Sequence, residues 1–91
     1  MQHRITASAR DAIRNILMKY WDPIGVEDEP EAQDEYDDYI PVIWKLLISR
    51  ESARVIAATL QAIEIEQMGL PANQPRALSA AEKLRLIEVQ L

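Results

Sequence analysis

Apolar side chains at Ile5, Ala9, Ala12, Ile13, Ile16, Leu17, Tyr20 and Trp21 recur every three or four residues. That spacing lays them along one stripe of an α-helix. It predicts a first helix over residues 8–20, capped either by Ser8 in a box with Asp11 or by Thr6. Arg10, Arg14 and Lys19 fall off the stripe and are expected in solvent. The helix should stop at Asp22, because a residue before proline is pushed out of the α region. Asp22-Pro23-Ile24-Gly25 then carries the residue order of a type I turn. Trp21 is expected to anchor this turn on the core, with Ile24 and Val26 tucked beneath it.

Pro30 suits the first position of a second helix, spanning 31–48. At about 100° per residue, Tyr36, Tyr39, Ile40, Ile43, Leu46 and Leu47 share one face, and Asp34, Asp37 and Asp38 lie opposite. Pro41 falls on the solvent side, where a bend would wrap the helix around the core. A third helix, 50–68 with Ser49 as cap, has the stripe Ala53, Ile56, Ala57, Leu60, Ile63 and Gln67. Gly69 fits the left-handed position behind it, with Leu70 folding back and Pro71 preventing continuation. Residues 71–78 read as a linker. Ser79-x-x-Glu82 reads as the capping box of a fourth helix, 80–90, with Ala81, Leu84, Ile87 and Leu91 inward. The pattern therefore predicts an all-α fold: a compact bundle of about four helices joined by short turns, helix two bent at Pro41, in one domain over 1–91.

Composition narrows the chemistry. Hydrophobic residues make up 48% of the 91, enough for a core, and there is no cysteine. Disulfides, thiolate catalysis and cysteine-ligated zinc drop out together. No apolar run reaches the ~18 residues of a membrane span. The opening MQHRITASAR lacks the apolar region of a secretory signal, so a cytoplasmic location without membrane contact is expected. The net charge of −5 is unevenly spread. Between Tyr20 and Trp44 stand Asp22, Glu27, Asp28, Glu29, Glu31, Asp34, Glu35, Asp37 and Asp38 without one Lys or Arg, and all five aromatic residues lie in the same stretch.

Glu31, Asp34, Glu35 and Asp38 stand at i, i+3, i+4 and i+7, which would line four carboxylates along one helix face. Such a row complements the dipole of a helix N-terminus and aids solubility. It would equally serve as a docking surface for a basic protein, whose charges relieve the mutual repulsion and steer the encounter. A divalent-cation site is the third reading, although neither a calcium-loop pattern nor a Glu-x-x-His pair is present. Trp44, at the edge of the apolar face, is a candidate interface anchor. His3, the sole histidine, has no evident partner to orient it for catalysis. Phosphate-cradling glycine loops are missing, and the acidic stretch argues against nucleic-acid binding. No enzyme, cofactor or metal is expected.

The strings Trp21-Asp22-Pro23-Ile24-Gly25-Val26, Pro30-Glu31-Ala32 and Asp34-Glu35-Tyr36-Asp37-Asp38-Tyr39-Ile40, with Ile63-Glu64 and Met68-Gly69-Leu70, resemble the YugE-like family of small uncharacterised bacterial domains. The likeness covers about residues 10–70. It implies a compact all-α fold in a bacterial cytoplasm and no assigned activity. By analogy with relatives in toxin loci, it implies an immunity protein that neutralises a toxin by binding it. The leading expectation is a protein-binding domain that captures a basic partner through Glu31, Asp34, Glu35, Asp37, Asp38 and Trp44. The turn motif Trp21, Asp22, Pro23 and Gly25 supports it. A self-associating homodimeric module is the alternative, and a carboxylate-based metal protein or enzyme the second alternative.

Overall fold

Thr6, not Ser8, opens the first helix: its Oγ1 accepts the Ala9 N–H at 3.0 Å, satisfying one of the helix's orphan donors. A computed structural model describes residues 4–87 and shows four α-helices, α1 (Ala7–Ile16), α2 (Ile40–Ile48), α3 (Ala53–Glu66) and α4 (Gln74–Leu84). Among the described residues there is no β-strand. The bundle is all-α, as the periodicity predicts. Its radius of gyration of 12.4 Å is that of a folded chain of this length, about 12 Å. No helix among the described residues is long and apolar enough to cross a membrane.

α1 continues into one π-helical turn, Leu17–Trp21, closed by the Asp22 N–H on the Leu17 carbonyl at 2.8 Å. The wider turn carries Leu17, Met18 and Trp21 into the core. α3 packs mainly on α4, α4 also covers the π turn, and α1 packs on α2 and α4. Ile13, Leu17, Trp21, Tyr36, Ile40, Ile43, Ile56, Leu60 and Leu84 form the fully buried centre.

The second helical segment is bent, but it is α-helical only from Ile40. Before it lie two 3₁₀ turns, Pro30–Ala32 and Asp37–Tyr39. The reason is Pro41. An α-helix running through 31–48 would need a Pro41 N–H that does not exist and would drive the ring into the carbonyl of Asp37. Starting at Ile40 puts the proline in the first turn, where its missing donor costs nothing.

Other boundaries also move. Ser52 rather than Ser49 caps α3, its Oγ accepting the Val55 N–H at 3.2 Å. The expected linker 71–78 is shorter, because α4 begins at Gln74 with Asn73 as cap, its Oδ1 accepting the Arg76 N–H at 3.1 Å. The Ser79-x-x-Glu82 box therefore lies inside a helix and caps nothing. Ala77, Ala80, Ala81 and Leu84 form the inner face of α4; Leu91, expected to point inward, lies outside the described residues. Ile24 is 45% exposed rather than tucked in, whereas Val26 packs against the core.

Candidate functional site

The Trp21-Asp22-Pro23-Ile24-Gly25 turn is the anchor of the acidic segment. Trp21 is fully buried, with Tyr36 tilted across it at a ring separation of 5.2 Å and Tyr39 edge-on at 6.0 Å. Asp22 adopts a left-handed conformation, φ 34°, and the i→i+3 turn closes from the Gly25 N–H to its carbonyl at 3.2 Å. Its carboxylate accepts the Val26 N–H at 2.8 Å, the Glu27 N–H at 3.0 Å and the Tyr36 hydroxyl at 2.7 Å. The same hydroxyl accepts the Ile24 N–H at 3.2 Å. Burial, together with the bond to Asp22, pushes the Tyr36 phenol far above its ordinary value. Asp22 and Tyr36 thus fix the chain's path into residues 27–38.

Along that path Gln33 braces the backbone, its Nε2 donating to the carbonyls of Glu27 and Glu29 at 2.9 and 2.8 Å. Successive i→i+3 bonds replace α-helical ones. The regular carboxylate row over Glu31, Asp34, Glu35 and Asp38 is therefore not formed as expected: these residues lie on two 3₁₀ turns and the turn between them. All four are nonetheless exposed.

Asp37 is committed elsewhere. Arg14, expected in solvent, donates Nε to Asp37 Oδ1 at 2.9 Å and Nη2 to Oδ2. The bidentate pair ties the acidic segment to α1, and Asp37 holds the guanidinium still more firmly protonated. Setting aside Asp22 and Asp37 leaves Glu27, Asp28, Glu29, Glu31, Asp34, Glu35 and Asp38, all exposed. Among the described residues none of them pairs with a cation. Trp44 is half-buried on α2 and lines a cleft of about 380 Å³ with Arg4, Thr6, Ala9, Ala12 and Ile87. That lining includes nothing from residues 27–38, so the structure does not gather Trp44 and the carboxylates into one cleft.

A second polar assembly was missed in the sequence. Glu64 is fully buried. Its Oε2 accepts Trp21 Nε1 at 3.2 Å and Arg76 Nη2 at 3.3 Å, and its Oε1 accepts the Asn73 N–H at 3.1 Å. One carboxylate thereby joins the π turn, α3, the 67–73 connection and α4. The signal was present: Glu64 lies four residues after Leu60 and eight after Ile56, on the α3 stripe, where Gln67 was expected but is exposed. Arg76 Nε is buried without a partner, so this network is not completely satisfied.

The exposed carboxylates can receive ammonium or guanidinium groups, whereas Glu64, held by three donors, is a structural tie. Among the described residues no three carboxylate or imidazole side chains come together to hold a metal ion. His3 lies outside the described residues. No family model, no curated protein and no solved structure matches the chain, so the YugE-like resemblance rests on its motif residues alone.

Proposed function

We propose that the protein is a protein-binding domain whose acidic segment, residues 27–38, receives the basic surface of another protein. The observation that carries this reading is the set of seven exposed carboxylates, none of which forms an ion pair among the described residues. Like charges so gathered repel one another, and a basic partner removes that cost on binding. The Asp22–Tyr36 tie, the Gln33 brace and the Arg14–Asp37 pair hold the segment's backbone in advance. Little ordering entropy would then be lost on association. Glu31, Asp34, Glu35 and Asp38 make the contact, and Asp37 acts through Arg14 by positioning them. The concrete form is an immunity protein in a bacterial cytoplasm, its carboxylates filling a toxin site built for phosphates.

Affinity capture from the source organism's lysate tests this, with wild type beside an Asp34→Lys/Asp38→Lys variant. The expected result is a basic protein retained by wild type and lost with the variant, both baits keeping the same helix content. Equal retention by the two baits would overturn the proposal.

A further inference from the structure

The buried Glu64 carboxylate ties together two segments that are far apart in sequence. Trp21 Nε1 reaches it from the head of the Asp22–Gly25 turn, and the Asn73 N–H and Arg76 Nη2 reach it from the start of α4. Between the two segments lies a groove of about 600 Å³, with Pro23 on one wall and Leu70, Pro71, Ala72, Pro75 and Arg76 on the other. The prolines and Leu70 give it an apolar surface, and polar groups at the start of α4 complete the lining. Next to Pro23, Ile24 is 45% exposed. The cation of the lining, Arg76, is spent on Glu64 at 3.3 Å. Prolines fix φ on both walls, and Glu64 holds both, so the groove has little freedom to lose when a side chain enters it.

The same turn leads directly into the acidic segment. Pro23 and Glu27 are at most about 14 Å apart along the chain, and the Glu27 N–H is drawn back to the Asp22 carboxylate at 3.0 Å. Glu27, Asp28 and Glu29 are exposed and form no ion pair among the described residues. An apolar groove with unpaired carboxylates beyond one wall suits a ligand of mixed character, its apolar part held by burial and its cationic part by charge. We propose that the groove between Pro23 and Pro71 receives a leucine-like side chain of a basic polypeptide segment, whose lysines or arginines meet the carboxylates of Glu27, Asp28 and Glu29. Cations two to four residues from the apolar side chain have the reach, because an extended segment covers about 7–14 Å over that interval. This placement rests on the partner-binding reading and adds selectivity to it. Carboxylates alone hold any polycation alike, whereas burying one leucine side chain outweighs one exposed ion pair. Charge thus brings a basic partner to the acidic segment, and the groove chooses among basic sequences.

Two synthetic peptides test it, Lys-Arg-Lys-Leu-Lys-Arg-Lys and the same sequence with glycine in place of leucine. Each is titrated calorimetrically with the full chain at about 0.05 M salt, where charge pairing is weakly screened. Wild type is expected to bind the leucine peptide at least about tenfold more tightly than the glycine peptide. Ala72→Gln sets a polar side chain into the groove from an exposed position. It should erase that preference while leaving the melting temperature and the affinity for the glycine peptide unchanged. Glu27→Gln/Asp28→Asn/Glu29→Gln should weaken both peptides by a similar factor and keep their ratio. Equal wild-type affinity for the two peptides, or a preference that survives Ala72→Gln, would overturn the groove and leave the acidic segment standing as a docking surface. Binding that the triple variant leaves intact would overturn the role of these three carboxylates. Binding of neither peptide would overturn the partner-binding reading along with the groove.

Discussion

Replacing Glu64 with glutamine changes one atom in the core and removes a buried charge that three donors face. The carboxylate oxygens receive Trp21 Nε1, Arg76 Nη2 and the Asn73 N–H at 3.1–3.3 Å. An amide keeps one oxygen, so its NH₂ must confront either the Asn73 N–H or both Trp21 and Arg76. Removing one partner of a buried ion pair costs about 3–5 kcal/mol. The low end applies, because the Arg76 side chain retains 31% of its exposure and can turn toward water. About 3 kcal/mol corresponds to a fall in melting temperature of roughly 12–24 °C for a domain of this size. It is a large share of the 5–15 kcal/mol that holds such a domain folded. Urea unfolding followed by circular dichroism measures it. Adding Arg76→Gln to Glu64→Gln should recover part of the loss, since the stranded cation goes with its partner. A Glu64→Gln unfolding free energy within about 0.5 kcal/mol of wild type would refute the view that this carboxylate ties the bundle together.

The phenol of Tyr36 stays protonated in the folded chain above its ordinary 10.0 because of burial first and its bond to Asp22 second. Above pH 10 the unfolded chain releases that proton and the folded chain keeps it, so stability falls as pH rises, while below pH 10 this group contributes no slope. Tyr36→Phe should flatten the melting-temperature profile above pH 10. At neutral pH it should cost about 1–2 kcal/mol for the hydrogen bonds to Asp22 and Ile24. Gly69→Ala should destabilise by about 1 kcal/mol, read from the urea midpoint. A Cβ there meets nothing within 4 Å and the penalty comes from φ 66° alone; no measurable loss would mean that the turn shifts freely.

The sequence made the apolar stripes and stop signals of the fold legible. Ile13 and Leu17, Ile40 and Ile43, Ile56 and Leu60 are buried where their spacing puts them, and Gly69 is left-handed behind α3. Periodicity failed where other forces compete with it. Pro41 permits a solvent-side bend on a helical wheel, but the wheel ignores the carbonyl four residues earlier, and the acidic stretch became 3₁₀ turns. Asn73 outcompeted Ser79 as a cap because Ala77 already lies on the inner face of α4 and is fully buried. Treating carboxylates as solvated hid both the Arg14–Asp37 pair and Glu64, whose place on the α3 stripe was readable from its spacing. The left-handed conformation of Arg50, at φ 57° between α2 and α3, could not be read from sequence, since a helix–helix connection becomes strained only once its backbone is known.

The central claim is that the carboxylates of residues 27–38 bind a basic protein, and the salt dependence of that binding tests it most directly. The protein captured by wild type would be titrated with wild type and with Asp34→Lys/Asp38→Lys at salt concentrations from about 0.05 to 0.5 M, over which the Debye length falls from roughly 14 to 4 Å. Charge-driven capture predicts that wild-type affinity and association rate fall steeply across that range, and that the variant binds at least about tenfold more weakly at the lowest salt. Affinity indifferent to salt, and equal for the two proteins, would show that the acidic segment is only a solvated surface.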